Sequence, residues 1–404
     1  MAARRQTIAL ALGSAANGLL AYIVFALTTR ALGADAAPVS VLWSYWGFAG
    51  AALTFPLQHW IARTLTSDGP GTVRNSLRRV SGLIGVLAVL SGVLAWLARD
   101  PLFHRDDPWF PLLVTLVTLG SALMGITRGS LSGENRFVEV AATFAAENAL
   151  RCVAVGFLVV TDEHHTVAYG TCIVLGYLTV VCWPRALRFG SDGTPAGTYS
   201  ALEFLSGAGL AQLLGQIVLT GGPVALALAG GTAAEVTALF AALALFRAPY
   251  TLALGMVSQV TTAITRLVVT GATTALRRIR VMTVSATLLA CIIAGLGAAW
   301  LAPTLIGLIF GEAIEFGSHD AAILAVGCVL AVANLVLNVT SLAHNRAGTV
   351  AVAWLIAIGG AGASYLALRA LPADERIIWC FLIAEAVAFT SLLTADLRRS
   401  AATP

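Results

Sequence analysis

The chain has 404 residues, of which 58% are hydrophobic and 11% are charged, and its formal net charge is +4. Soluble domains have about 25% charged residues, so this composition excludes a soluble protein and indicates a membrane protein. The arginines are spread over the whole chain rather than gathered in one basic patch, which argues against a nucleic-acid partner.

Twelve apolar segments are long enough to cross a bilayer, because a spanning helix needs about 20 residues. Charged or Gly/Pro-rich turns separate them, and they lie near 7–31, 39–61, 80–98, 109–127, 137–160, 166–184, 203–229, 235–259, 281–301, 321–343, 348–368 and 377–395. The first is longer than the apolar run of about 7–15 residues in a signal peptide, so we interpret it as a retained helix. The predicted fold class is an all-α polytopic membrane protein with these twelve transmembrane helices.

Charge alternates along the predicted loops. Placing the N-terminus in the cytoplasm puts most loop arginines on the cytoplasmic side, as the positive-inside rule requires. Acids such as Asp106 and Glu163 then lie outside, and both termini are cytoplasmic. The segment RGSLSGENRF, from Arg128 to Phe137, is predicted as a cytoplasmic turn. Arg128 and Arg136 are therefore interpreted first as signals of topology.

The Gly/Pro-containing segment 189–200 divides the chain into two halves of six predicted helices. We expect residues 1–188 and 201–404 to form two lobes, joined by this cytoplasmic linker. Since both halves have the same orientation, they are expected to be parallel pseudo-repeats about an axis normal to the membrane. WIARTL at Trp60–Leu65 and AITRLV at Ala263–Val268 follow the second helix of each half and are a weak trace of the repeat.

Glu147 and Arg151 are charged residues inside the fifth predicted helix. Glu147 lies about 15 Å beyond Phe137 at the helical rise, which is near the middle of a bilayer. A charge at that depth costs about 2.5–3.5 kcal/mol or more unless it has a partner or a hydrated cavity. Because Glu147 precedes Arg151 by four residues, the two can form an ion pair that only fixes packing. Alternatively they line a central cavity, where Arg151 attracts an anion and Glu147 exchanges a proton.

Two more charges are predicted within helices of the second half. Arg247 lies about 17 Å into the eighth helix. It has no acid within four residues, so it needs a partner elsewhere, and a pair with Glu147 would connect the two halves. Pro249 is expected to kink this helix. Glu385 lies near mid-depth in the twelfth helix, so it is, like Glu147, a candidate for ion coupling or gating.

Uncharged polar residues within helices are more often structural. Asn17 in the first helix, and Asn334 and Asn338 in the tenth, can hydrogen-bond neighbouring helices. The adjacent His164 and His165 follow two acids in a predicted outer loop, but they lack further ligands at helical or hairpin spacing, so no metal is expected. No nucleotide-binding or hydrolase motif occurs. Neither a cofactor nor catalytic residues are therefore expected.

Three stretches resemble the polysaccharide exporter, or oligosaccharide flippase, family of the multidrug/oligosaccharidyl-lipid/polysaccharide superfamily. They are GSAANGLLAYIVFALTTRALGA at Gly13–Ala34, ITRGSLSGENRF at Ile126–Phe137 and ALFAALALFRAPYTLALGMVSQVTTAITRL at Ala238–Leu267. They contain an Arg-x-Leu-Gly after the first helix, an Arg-Gly turn between the fourth and fifth helices, and an Arg-x-Pro in the eighth. These motifs follow the order of the family.

The resemblance implies two six-helix lobes with alternating access. Its implied cargo is a polyprenyl-diphosphate-linked glycan, flipped to the outer leaflet of a bacterial cytoplasmic membrane. It implies that Arg30, Arg151 and Arg247 offer positive charge to diphosphate or acidic sugars, and we add Asn17 as a substrate-binding candidate. The implied partners are the lipid-linked glycan, membrane lipids and glycan-assembly enzymes. Lipid II flippases usually carry two further helices, so a peptidoglycan precursor is disfavoured.

Two other classes of protein remain as alternatives. An ion-coupled solute or multidrug antiporter, of the same superfamily or of the major facilitator type, would also have twelve helices in two halves. An integral-membrane glycosyltransferase would need a sizeable outer loop for its catalytic acids. The predicted outer loops do not exceed about a dozen residues, which disfavours an enzyme.

Overall fold

The computed structural model describes residues 2–190, 201–344 and 346–402. Sixteen α-helices follow one another in these ranges: α1 Ala2–Leu32, α2 Ala37–Ala49, α3 Phe55–Ser67, α4 Pro70–Leu97, α5 Arg99–Phe103, α6 Trp109–Gly133, α7 Phe137–Val160, α8 Thr166–Leu175, α9 Ala201–Thr220, α10 Gly222–Leu228, α11 Ala233–Phe246, α12 Ala248–Val269, α13 Thr273–Phe310, α14 Ser318–Ala343, α15 Ala347–Ala367 and α16 Ala373–Ala402. Each of the twelve predicted segments coincides with one or two of these helices, so the all-α prediction is confirmed.

Several predicted spans are built from two helical pieces. A π-helical turn at Gly50–Thr54 joins α2 to α3, and α8 continues as a 3-10 helix at Gly176–Cys182. Arg247 interrupts the eighth predicted span between α11 and α12, and Pro249 lies in the first turn of α12. Proline lacks an N–H and clashes with the preceding turn, so the expected kink takes the form of a break. In contrast, α13 continues through Pro303.

The described helices have the length and apolar character of membrane spans. Eight helical stretches are long and apolar enough to cross a bilayer, and one of them, Leu10–Ser67, contains two predicted spans. Thr166–Cys182 and Ala233–Phe246 are apolar but shorter, because their spans are interrupted. The protein is therefore a multi-pass membrane protein. The orientation of its termini stays a prediction.

The chain forms two compact units. The first unit contains Met1–Gln216 and Thr232–Thr237, and the second contains Ile217–Gly231 and Ala238–Pro404. Residues 191–200 lie outside the described residues, so the linker predicted at 189–200 cannot be compared with the structure over most of its length. The boundaries 1–188 and 201–404 stay predictions.

The first unit is built around α6, which packs against α2, α3, α4, α7 and α8. Three glycines spaced by four residues let α3 approach this helix closely. A Cβ added at Gly125 would lie 2.8 Å from Thr54 O, and one added at Gly129 would lie 2.8 Å from Ile61 Cβ. Small residues in such a row permit close packing between membrane helices. The Gly-rich motif is therefore a packing surface.

The position of this motif corrects one prediction. The sequence placed a turn from Arg128 to Phe137, but α6 continues to Gly133, and only three residues separate it from α7. Asn135 has a positive φ of 59° within this short turn. Arg128 is therefore a helical residue, and its side chain is buried. Burial of an arginine requires a compensating partner, which the next helix supplies.

The second unit is built in a similar way around α14, which packs against α12, α13, α15 and α16. Both α6 and α14 correspond to the fourth predicted helix of their half. They are also the most buried of the eight spanning stretches. Buried polar side chains on such a central helix can contact several neighbouring helices of the same unit.

Candidate functional site

Three buried charged residues of the first unit contact one another. Arg128 Nη2 lies 2.6 Å from Glu147 Oε2, and Arg151 Nη2 lies 2.6 Å from Glu147 Oε1. The charged side chains are at most 5% exposed. The local ion pair that four-residue spacing predicted between Glu147 and Arg151 is confirmed. Arg128, which the sequence assigned to a turn, is its third member.

Hydrogen bonds to neighbouring helices hold this cluster in place. Arg128 Nε donates to Thr143 Oγ1 at 3.0 Å. Arg151 Nε donates to the carbonyl of Ile173 at 2.8 Å, and its Nη1 donates to Asn148 Oδ1 at 2.8 Å. Asn148 Nδ2 in turn donates to Asn17 Oδ1 at 2.8 Å. Asn17 is therefore joined to Arg151 through one amide, a structural contact of the kind predicted for it.

Aromatic rings cover both guanidinium groups. Arg128 lies 3.9 Å from the centre of the Phe144 ring. Arg151 lies 4.9 Å from the Trp46 ring and 5.2 Å from the Tyr177 ring. These cation–π contacts contribute about 0.5–2 kcal/mol each, and more where water is excluded. They help to offset the cost of burying two arginines.

The irregular end of α8 makes room for Arg151. The helix becomes a 3-10 helix at Gly176, and Ile173 lies in the turn before it. A Cβ added at Gly176 would lie 2.5 Å from Arg151 Nε and 2.9 Å from the Glu147 carbonyl. The next residue, Tyr177, hydrogen-bonds Ser121 on α6 at 2.7 Å. Glycine at position 176 is thus required by the close approach of the guanidinium.

The geometry of Glu147 changes the interpretation of the sequence. Both of its carboxylate oxygens are occupied by arginines of the first unit. The sequence suggested Glu147 as a partner for Arg247 because Arg247 has no acid within four residues, but both oxygens of Glu147 are already taken. The three charges instead sum to +1, because two arginines share one glutamate. The cluster has an excess of positive charge.

A second buried polar group lies in the second unit. Asn334 Nδ2, on α14, donates to Glu385 Oε2, on α16, at 2.7 Å and to the Glu385 carbonyl at 2.9 Å. Asn334 is 1% exposed and Glu385 is 0% exposed. Sequence reasoning named both residues but had no signal for their contact, which joins residues 51 positions apart.

The second unit contains oxygen atoms that lack donors. Among the described residues, Glu385 Oε1, Asn334 Oδ1 and Asn338 Oδ1 are buried without a hydrogen-bond partner. No arginine of the described chain forms an ion pair with Glu385, in contrast to Glu147. A buried carboxylate without a cation is unfavourable, so this group needs a proton or a metal cation to neutralise it.

The remaining predicted arginines lie at helix ends. Arg247 is half-buried between α11 and α12, with its guanidinium 6.0 Å from the Phe240 ring. Within the described part of the chain, its side chain forms no hydrogen bond and no ion pair. Arg30 is exposed in the last turn of α1. The structure therefore joins Arg151, Asn17 and Glu147, whereas Arg30, Arg247 and Glu385 are not part of that cluster.

No protein-family model matches the chain, and no curated protein matches it by sequence. Solved structures do match. An inward-facing multidrug resistance MATE family transporter of the MOP superfamily is 16% identical, with a TM-score of 0.65 over 98% of this chain and 95% of that one. A Vibrio cholerae MATE transporter is 13% identical, with a TM-score of 0.61 over 98% and 97%.

A third structure is a MOP superfamily transporter from Pyrococcus furiosus, described as having a binding pocket of reverse polarity that suggests a different function. It is 13% identical, with a TM-score of 0.58 over 98% of this chain and 96% of that one. At such low identities the TM-scores and the coverage establish the fold alone: the chain has the fold of MATE transporters of the MOP superfamily. The superfamily named from the sequence has this fold, and the narrower polysaccharide exporter family stays a prediction.

Proposed function

We propose that the chain is an ion-coupled exporter of the MOP superfamily that carries a solute or drug out of the cell by antiport. The shared fold supports this proposal, since structures with this fold include both an inward-facing and an outward-facing MATE family transporter. Transport by alternating access needs these two states and no catalytic residues. The exporter is therefore proposed as a transporter and not as an enzyme.

The observation that carries the coupling is the environment of Glu385. Its Oε1 has no partner among the described residues, and its other oxygen receives only an amide hydrogen bond. Binding and release of a proton or metal cation at this carboxylate changes the charge inside the second unit. A conformational equilibrium responds to an ion when the two states differ in their affinity for it. Glu385 is thus the proposed coupling residue.

Glu147 has a different proposed role. It is held between Arg128 and Arg151, so its ionised form is already neutralised. We assign it to gating through the packing of α6, α7 and α8, rather than to ion binding. Arg151 and Asn17 contribute to substrate binding only through this cluster, because Arg151 is fully buried. Arg247 and Arg30 are each proposed to contact an anionic headgroup only if the cargo is a lipid-linked glycan, the second candidate below, because an arginine repels a cationic drug.

Export of ethidium from cells that lack their own drug pumps tests the proposal. Expression of the wild-type chain is expected to lower ethidium accumulation, and collapse of the coupling gradient, by a protonophore or in a parallel arm by a sodium ionophore, is expected to remove the effect. Glu385→Gln should accumulate as much ethidium as cells without the chain. Glu375→Gln is the matched control, because it removes one carboxylate from the first turn of the same helix and leaves Glu385 in place.

Two results would oppose this function. Ethidium accumulation that is the same with and without the wild-type chain, for this and other cationic dyes, would argue against drug export. Export that survives in Glu385→Gln but fails in Glu375→Gln would assign coupling elsewhere. Equal amounts of each variant in the membrane must be shown by quantitative blotting.

Flipping of a lipid-linked glycan is the second candidate. It is favoured by the excess positive charge of the Arg128–Glu147–Arg151 cluster and by Arg247, which has no counter-ion within the described residues. Arginine suits diphosphate because its planar guanidinium donates two parallel hydrogen bonds. A diphosphate headgroup cannot cross about 30 Å of hydrocarbon unaided, so such cargo needs a protein pathway.

Gene deletion tests this candidate. If the chain flips a glycan carrier, deletion leaves the lipid-linked glycan in the inner leaflet, where an impermeant lectin or enzyme added outside cannot reach it. Normal arrival of the glycan in the outer leaflet, in a strain without a redundant exporter, would contradict it. Ethidium export and glycan arrival are measured independently, so the two candidate functions are distinguishable.

A further inference from the structure

The helices α4 and α13, which are the third predicted helices of the two halves, each carry all of their charge at one end. Each has three arginines and no acid. All six arginines lie within the first ten residues of their helix: Arg74, Arg78 and Arg79 in α4, and Arg277, Arg278 and Arg280 in α13. Arg74 and Arg277 are each the fifth residue, and they are 203 positions apart, like Arg63 and Arg266 of the two repeat motifs. The basic end is therefore common to both units.

Five of these arginines are exposed. The sixth, Arg280, is half-buried, and its Nε lies 2.5 Å from Asp396 Oδ2. The side chains of the other five form no hydrogen bond and no ion pair within the part of the chain that the structure describes. An arginine near the start of a helix also opposes the helix dipole, which favours acids there. These five charges therefore do not stabilise their own helices, and they are available to an anion outside the protein.

A stripe of exposed apolar side chains continues from each basic end. On α4 it follows Arg79 at spacings of three or four residues and consists of Leu83, Val86, Leu90, Val93 and Leu97. On α13 it follows Arg278 at spacings of three, four or seven residues and consists of Met282, Leu289, Ile292, Leu296 and Trp300. Residues three and four positions apart share one face of a helix. Each stripe and its arginine therefore face the same way, towards the acyl chains of the bilayer.

Exposed tryptophans place the basic ends in the membrane. Trp96 on α4 is 41% exposed, and Trp300 on α13 is 80% exposed. Tryptophan prefers the interface between acyl chains and water. Trp96 follows Arg74 by 22 residues, and Trp300 follows Arg278 by 22 residues, which is about 33 Å at the helical rise. The hydrocarbon core is about 30 Å thick, so with the indoles at one interface the arginines lie among the headgroups of the opposite one.

We propose that the basic end of each of these two helices binds the headgroup of an anionic phospholipid, one in each unit. The arginines bind the phosphate, for which the guanidinium group is well suited, and the acyl chains lie along the apolar stripe. In the predicted orientation these lipids belong to the cytoplasmic leaflet. The inference does not rest on the proposed function, because it uses none of the residues assigned to transport. The phospholipids are bound partners on the bilayer side of each unit, and they are not cargo.

Native mass spectrometry of the full-length protein in detergent, titrated with dioleoylphosphatidylglycerol, tests the inference. We expect saturable binding of two lipids per chain, and the binding should weaken as salt is added. Dioleoylphosphatidylcholine has the same acyl chains but a headgroup without net charge, so it is expected to bind about tenfold more weakly. Inorganic phosphate at the same concentration as the lipid should not displace phosphatidylglycerol, because it lacks acyl chains.

Two double variants assign the sites. Arg78→Gln combined with Arg79→Gln should lower the affinity of the site on α4 by about tenfold and leave one tightly bound lipid. Arg277→Gln combined with Arg278→Gln should do the same for the site on α13. A thermal unfolding midpoint that matches the wild type verifies that each variant is folded. If a double variant does not fold, the single variant Arg79→Gln or Arg278→Gln replaces it, with an expected loss of about threefold.

The matched control is Arg185→Gln combined with Arg188→Gln, which removes two exposed arginines from the segment after α8. It should change the affinity by less than about twofold. An equal loss in this control and in the two test variants would mean diffuse attraction by surface charge, and it would overturn the inference. Equal affinities for phosphatidylglycerol and phosphatidylcholine would also overturn it. So would complete displacement of the lipid by inorganic phosphate, which would indicate a site for free anions.

Discussion

Arg128 Nη2 on α6 lies 2.6 Å from Glu147 Oε2 on α7, although the two residues are 19 positions apart. Arg151 occupies the other oxygen of the same carboxylate. One buried glutamate thus compensates two buried arginines on two helices. Removing Glu147 is therefore expected to lower the stability of the protein more than removing either of its two arginine contacts alone.

Glu147→Gln should lower the stability of the protein strongly. It leaves two buried guanidinium groups without a counter-charge, a change that costs about 3–5 kcal/mol in buried pairs. We expect a large fall in the unfolding midpoint, measured by fluorescence-detected size exclusion after heating. Glu139→Gln, on the same helix, removes a half-exposed pair with Arg136 and should cost less than about 1 kcal/mol. Equal midpoints for the two variants would show that the cluster is not what stabilises α6 against α7.

Gly176→Ala tests the packing of Arg151 without removing a charge. The added Cβ would lie 2.5 Å from Arg151 Nε, so the guanidinium must move, and overpacking of this kind costs about 1–3 kcal/mol. The unfolding midpoint is expected to fall. Gly156→Ala, on α7, meets no atom within 4 Å and should change stability by less than about 1 kcal/mol. A wild-type midpoint for Gly176→Ala would mean that Arg151 is free to move.

If the chain flips a lipid-linked glycan, Arg247→Ala should abolish export of the glycan while leaving the amount of folded protein unchanged. Arg247 has no hydrogen bond or ion pair within the described residues, so its loss removes a charge and one long cation–π contact, at 6.0 Å from the Phe240 ring. We expect export to fall by about tenfold or more, equivalent to roughly 1.4 kcal/mol, with partial recovery in Arg247→Lys. Arg266→Ala removes an exposed arginine from the last turn of α12 and serves as the control. Normal export by Arg247→Ala would restrict Arg247 to a structural contact.

Asn334→Ala should weaken ion coupling less than Glu385→Gln does. The substitution removes the amide that donates to Glu385 Oε2 at 2.7 Å, but it leaves the carboxylate in place. The ethidium assay is expected to show partial export for Asn334→Ala and none for Glu385→Gln. If Asn334→Ala has full export, the amide has no part in holding the coupling group.

The sequence predicts the helices well for a simple physical reason. A bilayer requires long apolar runs, and these are visible in the order of residues without knowledge of their neighbours. The predicted polar candidates Glu147, Arg151 and Glu385 are likewise visible, because charge inside an apolar run is unusual. The depth of such a residue in the bilayer follows from its residue number within the predicted helix.

The contacts between helices could not be predicted in this way. Arg128 follows an apolar run and precedes glycines, so it resembles the end of a helix. Arg128 is buried because it pairs with the Glu147 carboxylate of the next helix. A hydropathy profile carries no information about such a contact between helices. The row of glycines at 125, 129 and 133 is a sequence signal that was available. Small residues spaced by four indicate a helix packed against another, which would have extended α6 and placed Arg128 inside it.

The central claim is ion-coupled export, and transport by the purified chain in proteoliposomes tests it most directly. An outwardly directed proton gradient, or in a parallel arm a sodium gradient, is imposed and the uptake of ethidium is followed. We predict that one of these gradients drives ethidium above its equilibrium level, and that Glu385→Gln removes this accumulation while Glu375→Gln retains it. Equilibration of ethidium at the same level with either gradient and with none would contradict the account.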